Sequence, residues 1–324
     1  MAFDLSALRI DVAAESARIA DALREHVLGR LRKRGVVVGL SGGIDSSTCV
    51  ALAVRAFGAE KVAILAMPER DSADESLALA RLYANELGAG LTVEPIAPAL
   101  EALGCYRRQV DAIREVFPAY GDGWRCKVVL PSILEAERLN VSRLVVESPS
   151  GERSEARMSA GAYLGLIAAT NLKQRVRKLV EYTHADRLNF AVVGTPNRLE
   201  YDQGFFVKQG DGAADVKPIA HLYKSQVYAL AEHLGVPEEI RRRPPTTDTF
   251  SLPQGQDEFY FALPYAAMDA CLYAKNHGVP ATEVAPALGL TAEQVERVFR
   301  DIDRKRAATR YLHEAPLLVE PVSV

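Results

Sequence analysis

Cysteine is scarce and scattered in this sequence: Cys49, Cys105, Cys126 and Cys271 are its four, with no C-x-x-C spacing among them. That excludes the common structural zinc patterns and a disulfide framework, and makes a reducing cytoplasm the expected location. Long apolar runs are missing too. No stretch approaches the roughly 20 apolar residues that cross a bilayer, so no membrane span is expected. The first turns carry Asp4, Asp11 and Glu15 and do not read as a secretory signal. Charge of one sign is also lacking: 39 Lys and Arg stand against 42 Asp and Glu, a net of -3, which gives no global attraction to nucleic acid. With 324 residues and 48% hydrophobic content, one large core with appendages is expected, spanning 1–324 as a single domain.

What is present centres on Val36-Val37-Val38-Gly39-Leu40-Ser41-Gly42-Gly43-Ile44-Asp45-Ser46-Ser47. A β-branched run, a glycine-serine turn and then a helical stretch form a phosphate cradle. Glycines allow close backbone approach, and the amides at the following helix start favour an anion. A lysine is absent from the turn, which rules out a Walker loop, and the G-x-G-x-x-G spacing of a dinucleotide fingerprint is absent as well. Asp45 between hydroxyls suits a metal-assisted phosphate site better than a plain helix cap.

Along the chain, residues 5 to 33 have apolar residues at helical spacing, and Lys61–Met67, Leu91–Pro95 and Phe190–Val193 read as further buried strands. Strands alternating with helices predict an α/β fold, a parallel Rossmann-like sheet with helices on both faces. Ligands then sit beyond the carboxyl ends of the strands. Ser72 and the Met67-Pro68-Glu69-Arg70 turn are candidate adenosine contacts. Residues 104 to 160 read as a solvated insertion around one strand at Arg143–Val146. Ala160–Ala169 and Asn171–Tyr182 read as two helices, with Lys173 and Arg177 on one face; a solvated face is the usual explanation for such charge, and the polar turn Gly194–Glu200 after the next strand tips the reading toward function. A helical tail is expected at 265–312. Its Thr282–Ala307 stretch resembles a helix-turn-helix, but Lys305-Arg306 is too little charge to predict DNA binding.

Ser41 to Ser46 match the S-G-G-x-D-S loop of ATP pyrophosphatases, and further segments resemble the NAD synthetase family of that group. Asn171, Arg175 and Arg177 fit its arginine motif. Gly194, Thr195 and Glu200 fit a G-T turn, and Gly204 to Asp215 fit G-F-F-x-K-x-G-D-G-x-A-D. Lys224, Pro245-Thr246 with Asp248, and Pro253, Gln256, Asp257 and Glu258 follow in order. The resemblance covers roughly residues 15 to 100 and 165 to 310. Departures are Gln174 and Lys178 for the family's usual Ala and Met, Phe261-Ala262 for its usual Leu-Gly, and the insertion.

The resemblance implies ATP-dependent amidation of nicotinic acid adenine dinucleotide by ammonia, through an acyl-adenylate, with ATP as co-substrate and Mg²⁺ as metal. A divergent amide ligase acting on another carboxylate is the alternative. Leu40, Ser41, Gly42, Gly43, Asp45, Ser46, Ser47, Met67, Arg175, Thr195, Lys224 and Thr246 would hold ATP and pyrophosphate. Asn171, Arg177, Lys208, Asp211, Asp215, Asp257 and Glu258 would hold the dinucleotide. Asp45 and Glu200 would ligate the metal, and Asp45, Asp211 and Lys224 would serve catalysis. The matched region occupies the chain, so ammonia is expected free or from a separate glutaminase. The resemblance also implies a homodimer with the acyl substrate across its interface.

Overall fold

The computed structural model describes residues 3–130, 133–134, 142–245, 249–255 and 257–323. Its helix α1 (Val12–Arg24) is capped by the Asp11 carboxylate, which accepts from the amides of Ala13 and Ala14. Then follow β1 (Val36–Gly39), α2 (Ile44–Phe57), β2 (Val62–Ala66), α3 (Asp74–Glu86), β3 (Leu91–Val93), α4 (Ala97–Ala102) and α5 (Cys105–Arg114). An excursion through β4 (Arg125–Val129), β5 (Arg143–Glu147) and β6 (Arg153–Arg157) leads to α6 (Ala160–Leu188), β7 (Ala191–Val193) and α7 (Arg198–Gln203). The chain continues with α8 (Lys224–His233), α9 (Glu238–Arg242), α10 (Tyr265–Asn276), α11 (Ala281–Leu288) and α12 (Ala292–His313).

The main sheet has the order β3-β2-β1-β7 and every pairing in it is parallel, with Val36 opposite both Val62 and Ala191. Both faces are covered, which is why the central strands carry apolar residues at every position rather than at alternate ones. Val36, Val38, Ile64 and Val193 enter the core shared with α1, α2 and α8. Val37, Leu65 and Val192 enter the opposite one, under α6 and α4. β1 is flanked by strands reached in opposite directions, so a crevice opens beyond its carboxyl end. The expected parallel α/β sheet is the one observed.

Three expectations are corrected. The stretch 104–160 is not a solvated insertion around one strand: among its described residues β4, β5 and β6 form an antiparallel sheet, and Cys126, Val128, Leu144 and Val146 are buried against Ile113 of α5 and Leu166 of α6. The two helices expected after residue 160 are one helix of 29 residues. The helix expected over 5–33 is interrupted after Leu8 and widens into a π-helical turn at Glu25–Arg30.

α10, α11 and α12 pack on α7 around Leu199, Met268, Leu272, Val295, Val298 and Ile302. This helical layer brings the end of α12 back to the crevice.

Candidate active site

The turn after β1 is built as a cradle. Leu40 N–H continues the ladder to Leu65 O at 2.8 Å, after which the chain leaves the sheet. The Ser46 hydroxyl lies 3.0 Å from Gly43 O, 3.1 Å from the Ser41 hydroxyl and 3.3 Å from Ser41 N, closing the loop on itself. Gly42 has φ +73°, and a Cβ there would come within 2.6 Å of Ser76 O, so the position demands glycine. α2 has Gly43 as its N-cap and so no side-chain cap, which leaves its first turn presenting amides to an anion.

A cavity of about 580 Å³ opens over this turn. Leu40, Ser41, Gly43, Asp45, Ser46, Met67, Asn171, Arg175, Arg177, Thr195, Glu200, Lys208 and Asp211 line it, so the structure brings together most of the residues named from the sequence. Ser72 lines it as well. Gly42 and Ser47 support the loop from outside the lining, and Ser47 is fully buried. Asp215 stands apart from the cavity: its carboxylate accepts from Val192 N at 2.7 Å and fastens β7. Thr246 lies outside the described residues, and so do the side chains of Asp257 and Glu258.

Asp45 and Glu200 converge. The Asn197 side chain donates to Asp45 at 3.3 Å while its backbone amide donates to Glu200 at 3.0 Å. Lys224, at the start of α8 and wholly buried, donates to the other oxygen of Asp45. Burial, followed by the neighbouring Asp45 charge, pushes Glu200 up to about 8. Burial alone would lower Lys224, but Asp45 and Glu200 outweigh it and the net shift is upward. Glu200, whose ionisation burial and the Asp45 charge oppose, forms with Asp45 a donor pair a hard divalent cation would relieve, with phosphate oxygens completing its shell. The residues therefore fit Mg²⁺.

Across the cavity, Arg175 Nε donates to Lys208 O at 3.3 Å, and Asp211 accepts from Val207 N at 2.7 Å. Burial raises Asp211 above the usual carboxylate range. Lys208 Nζ donates to Tyr311 O at 2.7 Å and to Glu314 O at 3.2 Å, so the end of α12 holds this ammonium.

Some contributors were missed from the sequence. Thr309, Tyr311 and Leu312 of α12 line the cavity, a role that no local motif signals. Lys178 and Glu181, also lining it, form a buried pair at 2.6 Å. Lys173 is not on a solvated face. It is buried and binds Glu69 at 3.0 Å, Asp71 at 2.6 Å and Thr249 O at 3.0 Å. The lone signal for it was the company of Glu69 and Asp71 in the loop after β2.

A parallel sheet with this cradle at the carboxyl end of β1 defines an α/β nucleotide-binding fold of the adenine nucleotide alpha hydrolase-like type. Solved structures share it. An NMN synthetase from Francisella tularensis superposes with a TM-score of 0.63 at 21% identity over 97% of this chain and 99% of that one. An NH3-dependent NAD synthetase from Campylobacter jejuni gives 0.63 at 21% over 96% and 100%. The chain belongs to the NAD synthase family, whose model matches residues 15–115 and 138–310. It is similar to the NH(3)-dependent NAD(+) synthetase of Mesorhizobium japonicum, at 62% identity over 96% of this chain and 98% of that protein. The protein of the same name from Rhizobium meliloti is 62% identical over 99% and 96%.

Proposed function

We propose that this chain is an ammonia-dependent NAD synthetase, a ligase that converts nicotinic acid adenine dinucleotide into its amide at the expense of ATP. The observation that carries the reading is the single cavity joining the Ser41–Ser46 cradle and the Asp45–Glu200 pair to Lys208 and Asp211. A carboxylate is a poor electrophile. Its oxygen attacks the α-phosphorus of ATP, the α–β bridge breaks, and pyrophosphate leaves toward the cradle. Ammonia then forms the C–N bond as the acyl–phosphate bond breaks, and AMP departs.

In this scheme the α2 amides, Ser41 and Ser46 receive pyrophosphate, and Lys224 offsets the charge developing beside Asp45. Arg175 and Lys208 meet phosphate oxygens. Asp211 accepts the proton that the attacking ammonia sheds. Asp45 and Glu200 would hold Mg²⁺, which supplies charge neutralisation at the phosphates when bound. The divergent substrate weighed from the sequence is not favoured, since the relatives 62% identical over 96–99% of the chain, insertion included, carry one activity in their names, whereas the NMN synthetase is 21% identical.

The homodimer implied by the resemblance is part of the proposal, to be read by sedimentation. No helix among the described residues is long and apolar enough to cross a membrane, and a cytoplasmic setting with free or partner-supplied ammonia is part of the proposal. Pyrophosphate release that requires both the dinucleotide and ammonia is the expected result. Orthophosphate as the product would sink the reading.

A further inference from the structure

One wall of the cavity is held by the insertion rather than by the parallel sheet. Along the outer edge of β4, Cys126 N donates to the Ser251 hydroxyl at 2.9 Å and Leu252 N donates to Cys126 O at 3.0 Å. The Gln254 amide donates to Val128 O on the same edge. The other edge of β4 pairs with β5, so residues 251–254 lie where a fourth strand of that sheet would run.

Phe250 is buried in the insertion's core with Cys126, Val128 and Leu144, and its ring meets Phe259 at 5.7 Å. Phe259 and Tyr260 line the cavity and contact Phe205 at 5.8 and 4.6 Å, on the segment that leads to Lys208 and Asp211. A second anchor comes from α6, where Lys173 donates to Thr249 O while binding Glu69 and Asp71. β4 falls within residues 116–137, which the family model does not match.

We propose that β4 is a positioning strand: it fixes residues 249–255 and, through Phe250 and Phe259, the cavity wall beside Phe205, so that the insertion sets the fit of the acyl substrate. Ser251 is a positioning residue in this arrangement. Cys126 is fully buried, and its amide has the Ser251 hydroxyl as partner, so removing that hydroxyl strands a buried donor and loosens the edge. The substrate part of this inference rests on the amidation reading; the anchoring of the wall does not.

Two measurements on the full chain test it. In Ser251→Ala the KM for the dinucleotide should rise about 5–10-fold, the scale of one lost hydrogen bond, with kcat and the KM for ATP within about twofold of the parent. Ser251→Thr, which keeps the hydroxyl, should restore the parent values. An unchanged dinucleotide KM in folded Ser251→Ala, or a loss confined to kcat, overturns the proposal. Independently, hydrogen exchange should show the Leu252 amide as protected as those of β4 in the parent. A Leu252 amide exchanging at the open-chain rate overturns the anchoring whatever the substrate. A protected Leu252 in a protein that releases no pyrophosphate supports the anchoring and overturns the amidation reading instead.

Discussion

The ammonium of Lys224, fully buried, and the carboxylate of Asp45, partly so, form an ion pair between the first turns of α8 and α2, groups 179 positions apart in the sequence. Asp269 of α10 fastens the base of this arrangement, accepting from Lys224 N at 3.0 Å and Ser225 N at 2.7 Å. The cation is thus preorganised beside the cradle rather than recruited from solvent. Lys224→Met should lower kcat for pyrophosphate release by about 10²–10³-fold, the usual scale for deleting one preorganised donor. Stopped-time pyrophosphate assays at saturating ATP would check it, and a loss below tenfold would place Lys224 outside the chemistry.

Glu200 gives the metal-free protein a pH dependence of defined sign. Its carboxyl is held at about 8 by burial and by Asp45, against an ordinary 4.5. Between those values the folded state keeps a proton that the unfolded state has released, so stability falls as pH rises through the window. Asp211 and Glu181, both raised by burial, add slope of the same sign. The Tm of the metal-free protein should therefore drop from pH 5 to pH 8. Mg²⁺ competes with the Glu200 proton and should restore more Tm at pH 8 than at pH 5.5. Glu200→Gln should flatten part of the fall and remove the pH dependence of the Mg²⁺ effect. A Tm indifferent to pH in the parent would contradict this account.

The sequence made the cradle legible because β1 is apolar at every residue and Ser41 to Ser47 after it are, apart from Ile44, glycine, hydroxyl and one acid, a local pattern with few structural meanings. The same holds for Glu200 and Asp211, each inside a dense motif. What stayed hidden was set by tertiary packing. β4 and β6 are rich in charge: Arg125 and Lys127 alternate with buried Cys126 and Val128, and β6 presents Arg153, Glu155 and Arg157 on an exposed edge. Such strands look like solvated loops until a partner is known. Lys173 looked like surface charge for the same reason. Its partners Glu69 and Asp71 are about a hundred residues away.

The Lys173 cluster should be costly to break. The ammonium and the Glu69 side chain are almost entirely excluded from solvent, and the Tyr106 hydroxyl completes the network at 3.0 Å from Glu69. Among the described residues, Lys173→Met leaves the Glu69 carboxylate buried without a cation and Asp71 with only Arg70, at 3.6 Å, a loss of about 3–5 kcal/mol. Urea unfolding should show it. Adding Glu69→Gln and Asp71→Asn should recover part of the loss, as expected when the penalty lies in the stranded charges rather than in a missing contact.

Ala262 sits at φ +55°, a conformation that L side chains rarely adopt, and it stands where the resemblance noted above has glycine. Ala262→Gly relieves the left-handed strain and loses some unfolded-state restriction, leaving a net gain of about 0.5–1 kcal/mol. A lower urea midpoint in the variant would refute it.

Gly204 ends α7 at φ +74°, and a Cβ there would stand 2.2 Å from the Cβ of Thr309 on α12. Close approach at this point sets where the end of α12 lies, and that end supplies Tyr311 and Leu312 to the cavity and the Tyr311 carbonyl to Lys208. Gly204→Ala should cost about 2–4 kcal/mol, from overpacking and left-handed strain together. Activity should fall further than the unfolded fraction explains, because α12 must shift. Thr309→Ala should not rescue it, since the clash is with the Cβ that alanine keeps. Thr309→Gly should recover the overpacking share, less about 1 kcal/mol of helix propensity. Rescue by alanine as complete as by glycine would mean that the hydroxyl and methyl, not the approach of the two backbones, govern the contact.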